Sequence, residues 1–236
     1  MNLPSDRYTQ DDHVFRDHDP YAAAKYELTL RWLRAERASG TLANVGCGGG
    51  LFNQLAVDAG FRVVAFEPDP AAFALAASRA VPGCTVEHQG LFEIDPDLRV
   101  DVAVMHDVLE HIDAEAAAVD RLADLVRSGG IAVVSVPALE SLFGYHDVQL
   151  GHFRRYSRTS LRRALDRRFE IEKIRYFGAS MVPVALWFSR IRQTPYPTAP
   201  VEQSGVGGAV LRRVLAVESR VSAPIGTSVV ALVRRR

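Results

Sequence analysis

Over the first 137 residues, short apolar runs alternate with amphipathic stretches. Leu42–Val45, Arg62–Phe66, Asp101–Met105 and Ile131–Val136 are rich in Val, Ala and Ile and bounded by Gly, Pro or acidic residues, and each predicts a buried strand. Thr85–His88 predicts a shorter strand. Between them, Ala24, Leu28 and Trp32 recur at helical spacing and predict a helix from Tyr21 to near Gly40. Further helices are predicted over Leu51–Ala59, from an Asp69 cap to Arg79, and over Glu115–Val126, with Gly60, Pro82-Gly83 and Ser128-Gly129-Gly130 as their stops. Strands alternating with helices of about ten residues predict βαβ units, a parallel sheet and an α/β fold.

Beyond Pro137 the rhythm changes. Ala138–Tyr156 reads as a long loop rich in aromatic and His residues. Leu161–Leu165 predicts a short helix, Phe169–Tyr176 a strand, Met181–Ile191 an apolar helix, and Gln193–Gly208, rich in Pro and Gly, a loop or flap. Val210–Val221 predicts a helix with a basic face and Thr227–Val233 a closing strand. Arg234-Arg235-Arg236 reads as a solvated tail. The domain division is a polar arm over 1–20 and one domain over 21–236, with a site-forming loop at 138–156 and an insertion or lid at 177–226.

Composition narrows the partners. The chain has 28 basic and 28 acidic residues, and this neutrality argues against a nucleic-acid partner, because phosphate binding draws on a basic excess. Two cysteines are too few for a disulfide framework, so a reducing, cytoplasmic setting is the default. The polar N-terminus has no apolar core of a signal peptide, and no stretch reaches the roughly 18 apolar residues of a spanning helix.

The stretch around which the chain is organised is Asn44-Val45-Gly46-Cys47-Gly48-Gly49-Gly50, a glycine turn between a buried strand and a helix start. Such turns let backbone approach a nucleotide closely. The dinucleotide fingerprint needs a third glycine at position 51, where this chain has Leu; its spacing is G-x-G-x-G. Glu67, before Pro68, ends the second strand where it can accept from both ribose hydroxyls. His106-Asp107-Val108-Leu109-Glu110-His111 follows the fourth strand.

With these three elements the sequence resembles the class I S-adenosylmethionine-dependent methyltransferases, and in its V-L-E-H segment the branch that includes ubiquinone-biosynthesis O-methyltransferases and bacterial small-molecule enzymes. The resemblance covers Thr41–Val136 well and the closing strands more loosely. It implies a Rossmann-like, seven-stranded, mostly parallel sheet with helices on both faces. Its antiparallel last strand, here Thr227–Val233, would lie between the fifth strand and Phe169–Tyr176. It implies S-adenosylmethionine as cofactor, with Gly46, Cys47, Gly48 and Gly50 at its methionine part and Glu67 and Pro68 at the ribose. His106 and Asp107 would border the pocket. Two positions depart from the family pattern. Asn44 stands where an acidic residue commonly opens the motif, and no Asp follows the third strand, so Leu91 and Phe92 are the candidates for packing on adenine.

Methyl transfer requires alignment more than protein chemistry, plus a base where the acceptor is protonated. His111, His146 and His152 are the candidate bases. A segment D-x-x-x-G-H-x-R-R-Y, from Asp147 to Tyr156, resembles one in bacterial members of the superfamily. It places Tyr145, Arg154, Arg155 and Tyr156 as candidate acceptor contacts, with one arginine expected to bind and the other to hold the loop. No metal is expected; the residues that would hold one are Asp107, Glu110 and His111, completed by His146 or His152. The expected reaction is methylation of an oxygen or nitrogen on a small natural-product-like or lipid-like acceptor, by a monomer or homodimer. The alternatives are non-methylating cyclisation with the same cofactor, and a cofactor-binding partner subunit without catalysis.

Overall fold

The computed structural model describes residues 19–192 and 206–236. Its centre is a seven-stranded sheet of order β3-β2-β1-β4-β5-β7-β6. The strands are β1 (Thr41–Val45), β2 (Arg62–Phe66), β3 (Cys84–Glu87), β4 (Val100–His106), β5 (Val126–Pro137), β6 (Phe169–Phe177) and β7 (Ser228–Arg235). The first five pair in parallel, and β7 runs antiparallel to both β5 and β6. The strand inserted against the grain is thus the last, as the family resemblance implies.

Helices α1 (Pro20–Ala35), α2 (Leu51–Asp58), α3 (Pro70–Ser78), α4 (Glu115–Leu125), α5 (Tyr145–Leu150), α6 (Arg158–Leu165), α7 (Val182–Leu186) and α8 (Val206–Glu218) flank the sheet. Two apolar layers result. On one face Leu42, Val63, Val102 and Val104 pack against Leu28 and Leu33 of α1, Phe52 and Ala56 of α2, and Leu215 of α8. On the other, Val45, Ala103, Met105 and Val134 pack against Val119 and Leu122 of α4 and Leu161 and Leu165 of α6. Strand side chains alternate between faces, so neighbours in sequence enter different layers.

Several boundaries differ from the sequence reading, each for a local reason. Helix α1 stops at Ala35, well short of Gly40, because Arg37 and Gly40 take left-handed backbone. Strand β5 starts at Val126 and runs through Ser128–Gly130: Val126 pairs with Val100, and the ladder resumes with Ile131 opposite Val102. The stretch 138–156 is not one loop. It holds a 3-10 turn at Glu140–Leu142 and helix α5, whose start is closed by the Gly144 amide donating to Asp147 Oδ2 at 3.0 Å. Helix α6 begins at Arg158, because the Ser157 hydroxyl accepts from the Ser160 amide at 3.0 Å. The apolar segment predicted at Met181–Ile191 is broken into a 3-10 turn, α7 with Pro183 in its first turn, and a π turn at Trp187–Arg192. Val206–Gly208, read as loop, belongs to α8, which ends at Glu218 rather than Val221. Most of the predicted arm and flap, residues 1–18 and 193–205, lies outside the described residues.

Of the terminal arginines, Arg234 and Arg235 are not a solvated tail, whereas Arg236 is exposed beyond the strand. Arg234 lies in β7, its Nε donating to Glu172 Oε1 at 2.7 Å and its Nη2 to Glu36 Oε2 at 3.1 Å. Among the described residues, no helix is long and apolar enough to cross a membrane.

Candidate active site

The ends of β1, β2, β4 and β5 meet at the carboxyl edge of the sheet, where open α/β folds bind ligands. The glycine turn leaves β1 there. Its amides at Gly46 and Cys47 both donate to the Phe66 carbonyl, at 2.8 and 3.0 Å, which ties the turn to the end of β2. Gly46, Gly48 and Gly50 all have left-handed backbone, with φ of 68°, 54° and 85°. The three glycines serve different needs. A Cβ on Gly46 would lie 2.4 Å from Val108 Cγ2, so this glycine permits close packing against the chain after β4. A Cβ on Gly48 would meet nothing within 4 Å, so here the backbone faces open space. Gly50 is the N-cap of α2.

Glu67 stands beside this opening. Its side chain is buried, with Oε2 accepting from the Gly48 amide at 2.7 Å and Oε1 from the Asp69 amide at 2.9 Å. A negative acceptor is thereby fixed at the rim of the turn. Pro68 follows, its carbonyl 3.0 Å from His88 Nε2, and the His88 ring stacks on Phe73 with centroids 4.9 Å apart. Phe92 is exposed nearby in sequence, after β3, whereas Leu91 is buried among core residues.

Asp107, the residue after β4, has a φ of 54°, uncommon for a non-glycine. Several contacts hold it. Its amide donates to the Ser135 carbonyl at 2.9 Å, Ser135 Oγ donates to its Oδ1 at 3.1 Å, and Lys25 of α1 pairs with its Oδ2. Lys25 is almost wholly buried; burial opposes its charge, but Asp107, with Tyr21 and Tyr26, together outweigh this and the ammonium pKa rises.

A second group of polar residues follows. The 3-10 turn Leu109–His111 brings up Glu110 and His111, and the Phe153 amide donates to the Glu110 carbonyl at 2.8 Å. That bond clamps the chain at 152–156 against the turn. The His111 and His152 rings stand nearly perpendicular, 80° apart, with centroids 4.6 Å distant. His152 Nδ1 lies 2.8 Å from Asp147 Oδ1, which also accepts from Arg155 Nε at 2.8 Å. Burial would raise the Asp147 pKa, but the bonds from His152 and Arg155 hold its carboxyl below the usual range. Side-chain donor atoms of Glu110, His111 and His152 all lie within 4.8 Å of one another.

A glycine turn opposite a fixed carboxylate, with an imidazole cluster across the same sheet edge, suits a cofactor-dependent transfer. Residues 15–172 match the family model of a methyltransferase domain. This chain belongs to the methyltransferase family. It is 28% identical over 185 residues to an uncharacterized methyltransferase of Mycobacterium leprae (strain TN), an alignment covering 72% of this chain and 68% of that protein. Among solved structures it is similar to the N-methyltransferase NodS of Bradyrhizobium japonicum WM9 in complex with S-adenosyl-L-homocysteine. There the TM-score is 0.62 at 13% identity, over 93% of this chain and 90% of that one. It is also similar to the magnesium protoporphyrin IX methyltransferase ChlM of Synechocystis PCC 6803, with a TM-score of 0.60 at 16% identity over 94% and 84% of the chains. At such identities the likeness is one of fold, and the fold is that of the class I S-adenosylmethionine-dependent methyltransferases.

The methyltransferase brings together only some of the residues singled out from its sequence. Gly46, Gly48, Gly50, Glu67 and Asp107 line one edge, while Glu110, His111 and His152 form a group beyond β4. Other residues are turned elsewhere. His106 points into the layer under α1, its Nε2 2.9 Å from Thr29 Oγ1 and its ring packed on Tyr26 and Phe52. Asn44 points the same way, its Nδ2 donating to Asn53 Oδ1 of α2 at 2.7 Å, with both side chains buried. The pair braces the glycine turn from beneath. Cys47 is buried as well, and burial pushes its thiol up to about 12.

Both arginines make contacts within the protein, Arg155 buried and Arg154 partly exposed. Arg154 donates to the carbonyls of Ile112 and Asp113 at 2.8 and 2.9 Å, and Arg155 to Asp147 and the Ala138 carbonyl. Tyr156 is a core side chain, with its amide donating to the Pro137 carbonyl at 2.8 Å. Tyr145 is exposed at the start of α5, and His146, beside it, stands outside the Glu110–His111–His152 group. Lys25 and Ser135 are site-edge residues that the sequence reading missed. A lysine beside Ala24 and Leu28 on the apolar face of α1 was the available signal.

Proposed function

We propose that this methyltransferase transfers a methyl group from S-adenosylmethionine to an oxygen or nitrogen atom of a small organic acceptor. The observation that carries the reading is the pairing of Gly48, whose left-handed backbone faces open space, with the buried Glu67 carboxylate at its amide. That pairing fits the cofactor. An open backbone edge accommodates its methionine part, and a carboxylate at the end of β2 is suited to accept from the ribose hydroxyls. Pro68 and Phe92 would flank the adenine. When bound, the cofactor supplies a methyl group on a sulfonium centre, which leaves the protein the work of alignment and of proton removal.

The acceptor would lie toward Glu110, His111 and His152. Because Asp147 holds Nδ1 of His152, the Nε2 edge is the one left to take a proton from a hydroxyl or ammonium. This arrangement favours His152 over His146 as the base. Equal numbers of acidic and basic residues support a small acceptor rather than a nucleic acid.

Calorimetry with S-adenosylhomocysteine tests the cofactor site. The wild type should bind, and Glu67→Gln should weaken binding by about 10- to 100-fold, the worth of charge-assisted bonds to two hydroxyls. No binding by the wild type, or equal binding by Glu67→Gln, would sink the assignment. Turnover is then read with a panel of phenols, alcohols and amines.

A further inference from the structure

The Glu110–His111–His152 group has an organisation that proton removal alone does not require. Adjacent residues of a short turn usually diverge, yet the side chains of Glu110 and His111 both approach His152, and all three donor atoms lie within 4.8 Å of one another. The chain holds them there. The Phe153 amide is bonded to the Glu110 carbonyl at 2.8 Å, so the segment carrying His152 is fastened to the turn carrying the other two. The two imidazoles meet edge to face at 80°, with centroids 4.6 Å apart, rather than stacked.

His152 is oriented from behind. Its Nδ1 lies 2.8 Å from Asp147 Oδ1, and Asp147 is wholly buried and locked in turn by Arg155 Nε at 2.8 Å and the Gly144 amide at 3.0 Å. A carboxylate on one imidazole nitrogen fixes the tautomer and presents the other nitrogen as a ligand, the arrangement that supports metal-bound histidines. Arg155 balances the charge of Asp147. Glu110 is almost wholly buried, and a dication would add to the groups that already meet its carboxylate.

We propose that Glu110, His111 and His152 form a binding site for one divalent transition-metal cation, with Asp147 as the positioning residue behind His152. Two imidazoles and one carboxylate suit a cation of the Zn²⁺, Co²⁺ or Fe²⁺ class and disfavour Mg²⁺ and Ca²⁺, which take oxygen ligands. Metal bonds of about 2.0–2.2 Å place neighbouring ligand atoms roughly 3–3.5 Å apart, so side-chain adjustments of about 1 Å close the set. With a cation bound, His152 is a ligand rather than the base: three protein ligands leave a position for an acceptor oxygen, and the cation eases proton loss by lowering the pKa of a hydroxyl there. The site therefore narrows the acceptor to an alcohol or phenol. Only that narrowing rests on the proposed methyl transfer; cation binding stands apart from it.

The test uses untagged full-length protein, stripped with chelator and titrated with Co²⁺ by visible absorption and with Zn²⁺ by competition, with neither cofactor nor acceptor present. The expected result is one equivalent per chain. His111→Ala and Glu110→Gln should each lower affinity about a hundredfold, and Asp147→Asn about 10- to 100-fold, with circular dichroism confirming that each variant is folded. His111 is only half-buried, so its variant keeps the test informative if Asp147→Asn unfolds. The absence of stoichiometric Co²⁺ binding by the wild type would overturn the proposal, as would binding that survives both His111→Ala and Glu110→Gln. Cation binding by protein that fails to bind S-adenosylhomocysteine would uphold this site while refuting the cofactor assignment.

Discussion

His106 offers a quantitative test of how the end of β4 is built. Its ring is 9% exposed, bonded to Thr29 and wedged between Tyr26 and Phe52 with both centroids 5.0 Å away. Burial, reinforced by the Lys25 ammonium, lowers its pKa from 6.5 to about 3. Between these two values the unfolded chain binds a proton at this site that the folded chain refuses. Stability from the neutral ring is therefore complete above about pH 6.5 and is lost as pH falls toward about 3. Each pH unit inside that window is worth about 1.4 kcal/mol, so lowering pH from 7 to 5 removes about 2 kcal/mol through this one group. Gln at the position keeps a polar side chain but cannot titrate. Urea unfolding of the wild type and His106→Gln at both pH values isolates the effect, because the other titrating groups cancel in the difference. The wild type should lead at pH 7, and its lead should shrink by about 2 kcal/mol at pH 5. A lead that stays constant would show that the folded protein protonates His106 freely. The ring would then have to lie in an accessible cleft, and the placement under α1 would be refuted.

Gly46→Ala and Gly48→Ala should separate packing from binding. The first adds left-handed strain and a clash with Val108, costing about 2–4 kcal/mol, whereas the second costs about 1–2 kcal/mol yet weakens S-adenosylhomocysteine binding at least about tenfold; calorimetry and thermal melts read both. Lys25→Ala removes the cation facing the Asp107 carboxylate, which keeps its Ser135 bond, and should cost about 3 kcal/mol, and adding Asp107→Asn should recover part of that loss. Cys47, with its thiol near 12, should resist a thiol reagent at pH 8 until denaturant is added, while the half-buried Cys84 reacts in the native protein. Equal native labelling of the two would contradict the burial of the glycine turn.

The strands and most helix starts were legible because their signals are local. Central parallel strands are buried on both faces and read as unbroken apolar runs, as in Ala103–Met105 and Ile131–Val136. Asp69 announced its helix as a cap and accepts from the amides of Ala71 and Ala72 at 3.0 and 2.8 Å. Helix α5 carries no local signal because it is only 6 residues long, has a glycine as its N-cap, and is closed by the Asp147 side chain rather than marked by an apolar period. Arg234 looked solvated because its partners, Glu36 and Glu172, stand far away in the chain.

By itself, the sequence determined the α/β alternation, the glycine turn and the acidic end of β2, since backbone conformation and strand burial depend on residues next to one another. Only the tertiary structure decided which polar side chains face the cleft. In a strand covered on both sides, alternation separates neighbours but does not say which layer each enters, so His106 and Asn44 went under α1 and α2 while Asp107 stayed at the edge. It likewise decided that Arg155 holds Asp147, that Lys25 crosses 82 residues to Asp107, and that His152 joins Glu110 and His111. Those pairings are set by distances between elements, which local spacing does not encode.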